Sequence, residues 1–268
     1  MSLRKRLPTA LILLAFLFLV IQWTSRLVFF LFLQVFIIVS LLEFYNLVRR
    51  KKMFPQRAVG VLLALLISAS FFFEALPFEM ALFLGLLLAG LYYVISFKTI
   101  EKVALFPFSF AVTVFGAIYI SFTMNYFYLL RLEKGPFYIY FLFAVIFLGD
   151  SGAYLFGNLL GRHKMTPMAS PNKTWEGSVG GLVLACLGAV AAQQVLLKEI
   201  GILEAALSGL FVHAVAQLSD PLESLFKRAA GVKDSSNFLP GHGGFLDRID
   251  SLILAAPFFY YFIRFFWK

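Results

Sequence analysis

Charge is what this sequence has least of. Of its 268 residues only 14% are Asp, Glu, Lys or Arg, against roughly 25% in a soluble domain, and 61% are hydrophobic. With a mean hydropathy of +0.89, these figures exclude an ordinary soluble protein and predict an integral membrane protein. Cysteine is nearly missing too. Cys186 stands alone in the apolar run 182–192, which excludes an intrachain disulfide and a thiolate metal site and leaves it a packing residue. The G-x-x-x-x-G-K-[ST] spacing of a P-loop does not occur. Neither internal repeats nor low-complexity tracts are evident.

Long apolar runs are abundant. About 20 apolar residues cross the hydrocarbon core as a helix. That length predicts an all-α, polytopic transmembrane helical bundle of about nine spans: 7–23, 27–48, 57–74, 78–97, 103–124, 136–156, 177–197, 202–221 and 251–267. The first two are split at Thr24-Ser25-Arg26, because 7–48 is twice as long as one span needs. Arg4-Lys5-Arg6 followed by an apolar run imitates a secretory signal, but no small-residue cleavage site follows, so it reads as a retained span. The count of one domain per ~150 residues belongs to soluble chains. Residues 1–268 are therefore taken as one membrane domain, with N-terminal spans in 1–135 and catalytic spans and loops in 136–268.

Lys and Arg in short loops set orientation. With a cytoplasmic N-terminus, most of the 23 basic residues fall on the cytoplasmic side, including the runs Arg4-Lys5-Arg6 and Arg49-Arg50-Lys51-Lys52. The loop 73–79 carries only acid, which suits the other side. The net charge of +9 thus follows from topology and anionic headgroups and requires no nucleic acid. The same parity puts the loop after span six and the loop after span eight on one face, where they can share a site.

Those two loops hold the chemistry. In the first, Asp150 lies inside an apolar span, where a carboxylate needs a partner or a metal. Ser170-Pro171 followed by Lys173, Thr174 and Glu176 resembles a helix start, with a Ser or Thr cap and an acid in the first turn. Lys173 and the free N–H groups there could hold phosphate oxygens; an ordinary capped re-entry into the membrane explains the segment equally well. In the second loop, Asp220, Glu223, Ser224 and Lys227 follow i, i+3, i+4 and i+7, one face of a helix. His213 and Gln217 extend that stripe into the membrane, where interhelical hydrogen bonding is the expected role. Gly241-His242-Gly243-Gly244 is a turn whose amides can approach a ligand closely. Asp247 and Asp250, three residues apart, face one way if helical, and with other carboxylates could bind Mg²⁺. Lys227, Arg228, Lys233 and Arg248 could then bind an anion. Salt bridges bracing a loop would account for some of these pairs but hardly for the set.

The second loop resembles the signature of the phosphatidate cytidylyltransferases, or CDP-diacylglycerol synthases. Ser224, Lys227, Arg228, Lys233, Asp234, Ser236, Leu239, Pro240, His242, Gly243, Gly244, Phe245, Asp247, Arg248, Ile249 and Asp250 fill that pattern without a gap. The first loop is similar to the family at 150–154 and 170–177, with Ser151 where Thr is common and Asn172 where Lys is common. The resemblance covers mainly 140–268. It implies synthesis of CDP-diacylglycerol and pyrophosphate from CTP and phosphatidate at the cytoplasmic ends of the C-terminal spans, in the bacterial inner (cell) membrane. It also implies a metal site of Asp150, Asp220, Asp247 and Asp250 holding Mg²⁺, with a second metal or a monovalent cation left open. CTP phosphates would be held by Lys173, Lys227, Arg228, Lys233, Arg248, Gly243 and Gly244, with Ser224 beside them. Asp247, Asp250, His242 and Lys227 would be catalytic, although phosphatidate brings its own ionised oxygen and needs no strong base. A homodimer is expected from the family.

An ion-coupled transporter would also carry intramembrane carboxylates, but it predicts polar broken helices in both halves, and here they crowd the second. The D-G-x-x-A-R motif of CDP-alcohol phosphotransferases does not occur. A CTP-dependent lipid kinase is the nearest rival and would release CDP instead of pyrophosphate.

Overall fold

The computed structural model describes residues 15–50, 53–236 and 243–267. Residues 15–23 are helical and break at Thr24-Ser25. The Ser25 side chain then accepts a hydrogen bond from the Val28 N–H and starts α1 (Arg26–Arg49). The rest follows as α2 (Arg57–Phe72), α3 (Phe78–Ser96), α4 (Ile100–Ala117), α5 (Tyr126–Leu129), α6 (Pro136–Leu160), α7 (Trp175–Leu196), α8 (Ile202–Ala229) and α9 (Leu246–Phe266). Seven helices among the described residues are long and apolar enough to cross a membrane. The segment predicted over 57–74 forms a shorter apolar helix, and most of 7–23 lies outside the described residues. Lipid-facing positions such as Phe83, Val94 and Leu203 are exposed, as a bilayer solvent allows.

Several boundaries differ from the sequence reading. The span predicted over 103–124 belongs to a 35-residue helical run, Ile100–Lys134, carried through two π-helical turns at Ile118–Phe122 and Leu130–Lys134. Hydropathy falls at its far end, but buried Tyr126, Phe127 and Tyr128 keep that end packed. Helix α8 runs on to Ala229 and α9 begins at Leu246, so the polar stripe and both later aspartates are helical. The all-α prediction needs one addition: β1 (Lys164–Thr166) and β2 (Ser170–Thr174) form an antiparallel hairpin, pairing Lys164 with Thr174 and Thr166 with Ser170.

Small residues let α6 and α7 touch along their backbones. A Cβ at Gly152 would stand 2.9 Å from the Gly180 carbonyl oxygen, and one at Gly177 would stand 2.7 Å from that of Ala153. Backbone atoms in packed helices cannot yield cheaply. Gly177→Ala is therefore expected to cost ~1–3 kcal/mol of stability, seen as a lower thermal midpoint in detergent; an unchanged midpoint would contradict this packing. In the N-terminal half, a buried polar network joins helices instead. Asn125 Nδ2 donates to Ser68 Oγ (2.8 Å) and accepts through Oδ1 from Gln34 Nε2 (3.3 Å), while Ser121 Oγ donates to the Ala64 carbonyl (2.8 Å).

Candidate active site

The stripe predicted on α8 is assembled as helical spacing requires. Ser224 Oγ donates to Asp220 Oδ1 at 3.3 Å, and Lys227 Nζ donates to Glu223 Oε2 at 2.9 Å, one turn back. Lys227 also reaches across to α9 and donates to Asp247 Oδ1 at 2.8 Å. Both carboxylates and the ammonium lie in a nearly closed environment, with Glu223 fully buried. A desolvated charge must be paired. Here one lysine serves two acids, and Glu223 Oε1 has no hydrogen-bond partner among the described residues.

The second oxygen of Asp247 organises the loop before α9. Its Oδ2 accepts from the Ser235 N–H (2.9 Å), the Ser235 Oγ–H (2.9 Å) and the Gly244 N–H (2.8 Å). Gly243 makes that geometry possible: its φ is +78°, and a Cβ there would stand 2.8 Å from Asp247 Oδ2. Glu43, on α1, completes the loop from the other side. Buried to 5% exposure, it accepts from Ser236 Oγ (2.6 Å), Ser235 Oγ (3.2 Å), Phe245 N (3.2 Å) and Leu246 N (2.8 Å). It thus satisfies free N–H groups at the start of α9 and favours the positive end of that helix. Sequence reasoning passed over Glu43, although a lone acid in the apolar run 27–48 carried the same signal as Asp150.

The first loop meets α8 at Lys173, whose Nζ lies 2.8 Å from Asp220 Oδ2. The cap, expected as a Ser or Thr, is Thr174, with Glu176 in the first turn. The Thr174 side chain accepts from the Gly177 N–H and begins α7, while Ser170 starts the β2 strand. Asp150, Asn172, Lys173, Gln217 and Asp220 line a cleft of about 340 Å³ between α6, α7 and α8. Asp150 is within electrostatic reach of Lys173 and Asp220. Asp250 is likewise within reach of Asp220, Glu223 and Lys227, and its Oδ1 accepts from the Ser251 N–H at 2.7 Å.

Other sequence-predicted residues are placed differently. Arg228 is committed to carbonyls, donating to Ala169 at 3.2 Å and Val232 at 3.1 Å, so it braces the hairpin against the loop. Lys233 is exposed, and Arg248, also exposed, borders an apolar cleft beside α1. His242 lies outside the described residues. Gln217 makes the expected interhelical bonds to Ser178, donating through Nε2 to its carbonyl at 3.0 Å. His213 does not: it is wholly buried, and neither ring nitrogen has a partner. The helices approach it through glycine, since a Cβ at Gly149 would stand 2.4 Å from its ring.

Among the described residues, no three His, Cys, Asp or Glu side chains converge as a preformed metal cage. The donors nevertheless fit a hard divalent cation in kind. Asp150, Asp220, Glu223 and Asp250 carry oxygen donors of that kind, with Asp220 repelling Asp150 and Asp250, and Glu223 Oε1 is a buried oxygen without a partner among the described residues.

Fold and site together define an integral membrane protein with a carboxylate and lysine centre at one end of its C-terminal helices. The family model of the cytidylyltransferase family matches residues 4–266, and the chain belongs to that family. It is 38% identical over 262 residues to the phosphatidate cytidylyltransferase of Bacillus subtilis (strain 168), covering 94% of this chain and 93% of that protein. To the phosphatidate cytidylyltransferase of Staphylococcus aureus (strain COL) it is 36% identical over 200 residues, 75% of each. The same enzyme of Haemophilus influenzae matches at 43% over 135 residues, 49% of this chain and 47% of that one.

Proposed function

We propose that this protein transfers the cytidylyl group of CTP to phosphatidate, forming CDP-diacylglycerol and pyrophosphate. One observation carries the reading beyond family membership: Lys173 on β2 and Lys227 on α8 face a group of carboxylates on α6, α8 and α9. A phosphate oxygen of phosphatidate attacks the α-phosphorus of CTP, and the bond from that phosphorus to the bridging oxygen of the β-phosphate breaks. The nucleophile arrives ionised, so the protein aligns the reactants and offsets charge gathering on pyrophosphate. Lys173 holds a phosphate in the cleft, and Lys227 fixes Asp247 and Glu223. Mg²⁺ held by Asp150, Asp220 and Asp250, with Glu223 Oε1 in place of Asp247, whose two oxygens are taken by Lys227 and the 235–244 loop, would supply further charge neutralisation. About nine spans, a site facing the cytoplasm, the bacterial inner membrane and a homodimer complete the proposal.

Purified protein in detergent, given phosphatidate, base-labelled CTP and Mg²⁺, should put label into lipid; failure in a folded sample overturns the reading. Lys173→Gln removes a phosphate contact and the partner of Asp220. It is expected to raise the KM for CTP at least about tenfold, a loss of ~1.4 kcal/mol, with the KM for phosphatidate less affected. The reverse pattern would put Lys173 on the lipid side.

A further inference from the structure

A second cleft, of about 190 Å³, lies between residues 15–23, α1, α6 and α9. Its walls include Leu33, Phe36, Phe143, Phe147 and Leu252, and Arg248 is the one charged residue lining it among the described residues. A polar ligand would find nothing there to replace its water, whereas a hydrocarbon would. Along α6 the lining runs from Ile139 to Phe147, about 12 Å at 1.5 Å per residue. Phe147 is 52% exposed, so the cleft is accessible from the side where lipid tails would lie. Arg248 lies in the first turn of α9 beside Asp247 and near Asp250.

We propose that this cleft seats one acyl chain of phosphatidate, with the Arg248 guanidinium beside the lipid phosphate. An anionic headgroup on a hydrocarbon tail complements a single cation at the polar end of an apolar groove. Arg248 is thereby moved from nucleotide binding to lipid binding. Both clefts border α6, where Phe147 lines one and Asp150 the other. Lipid and nucleotide then approach the Lys227–Asp247 pair from different sides, and the lipid never has to leave the bilayer plane.

The inference rests on the transferase reading, and the test separates them. The full-length protein in nanodiscs is irradiated with phosphatidate carrying a mid-chain diazirine, and labelled peptides are mapped. Labels are expected on the α1, α6 and α9 segments that line the cleft, displaced by dioleoyl-phosphatidate but not by phosphatidylcholine. Leu252→Trp, which fills the groove, should raise the KM for dioleoyl-phosphatidate about tenfold or more while sparing that for CTP and for dihexanoyl-phosphatidate. Phe143→Ala, which loosens it, should weaken labelling should the first variant not fold. Labels spread evenly over lipid-facing helices, equal displacement by phosphatidylcholine, or equal effects on long and short chains would overturn the proposal. Product formation without labelling of the groove removes this inference alone; specific labelling without product removes the transferase reading and leaves an anionic-lipid site.

Discussion

Asp247→Asn is expected to lower kcat by about 10²–10⁴-fold while the protein stays folded. The aspartate joins three parts of the site: Oδ1 takes the Lys227 ammonium and Oδ2 takes three donors from the 235–244 loop. An amide cannot do both. With its oxygen toward the loop, its NH₂ faces Lys227, and with its oxygen toward Lys227, its NH₂ faces the Ser235 and Gly244 N–H groups. Breaking one side of a buried ion pair costs ~3–5 kcal/mol, and each 1.36 kcal/mol felt at the transition state is about tenfold in rate. Turnover with CTP and dioleoyl-phosphatidate, read beside a monodisperse elution profile, measures this. Wild-type turnover would remove Asp247 from the centre of the account.

Glu43→Ala is the second large effect, and it acts from the opposite half of the chain. Ser236 Oγ and two backbone N–H groups at the start of α9 donate to that carboxylate, and the Ser235 hydroxyl is shared between it and Asp247. Each buried donor left unpaired costs ~1–3 kcal/mol, so a loss of several kcal/mol in stability is expected together with at least about a hundredfold loss of activity. Glu43→Gln should fall between, because it keeps one acceptor oxygen. Gly244 packs directly against the carboxylate, since a Cβ there would stand 2.5 Å from Glu43 Oε2. Thermal unfolding and turnover of both variants test it, and wild-type behaviour of Glu43→Ala would show that α1 does not support the site.

The sequence made the α8 stripe readable because i, i+3, i+4 and i+7 spacing fixes relative direction without knowledge of the fold. Asp247 and Asp250 were readable for the same reason, once helical. The ends of α8 and α9 were harder: hydropathy tracks the apolar stretch, while the helices continue into polar segments held by ion pairs. The Ser or Thr cap and the acid after it were readable by residue type, and Thr174 and Glu176 fill those places, whereas the hairpin before them has strands too short for a period of two to emerge. Glu43 was missed for a different reason. Its partners lie some 192 to 203 residues away, so nothing local shows what its charge is for. Arg228 looked like an anion binder by neighbourhood, and only the fold reveals the carbonyl of Ala169 beside it.

The most direct test of the central claim is to follow both ends of the nucleotide at once. CTP labelled at the α-phosphate and, separately, at the γ-phosphate is given to the purified protein with phosphatidate and Mg²⁺. The account predicts α-label in a lipid product and γ-label in pyrophosphate, in equal amounts. Lipid carrying the γ-label, with CDP released, would identify a lipid kinase and contradict it.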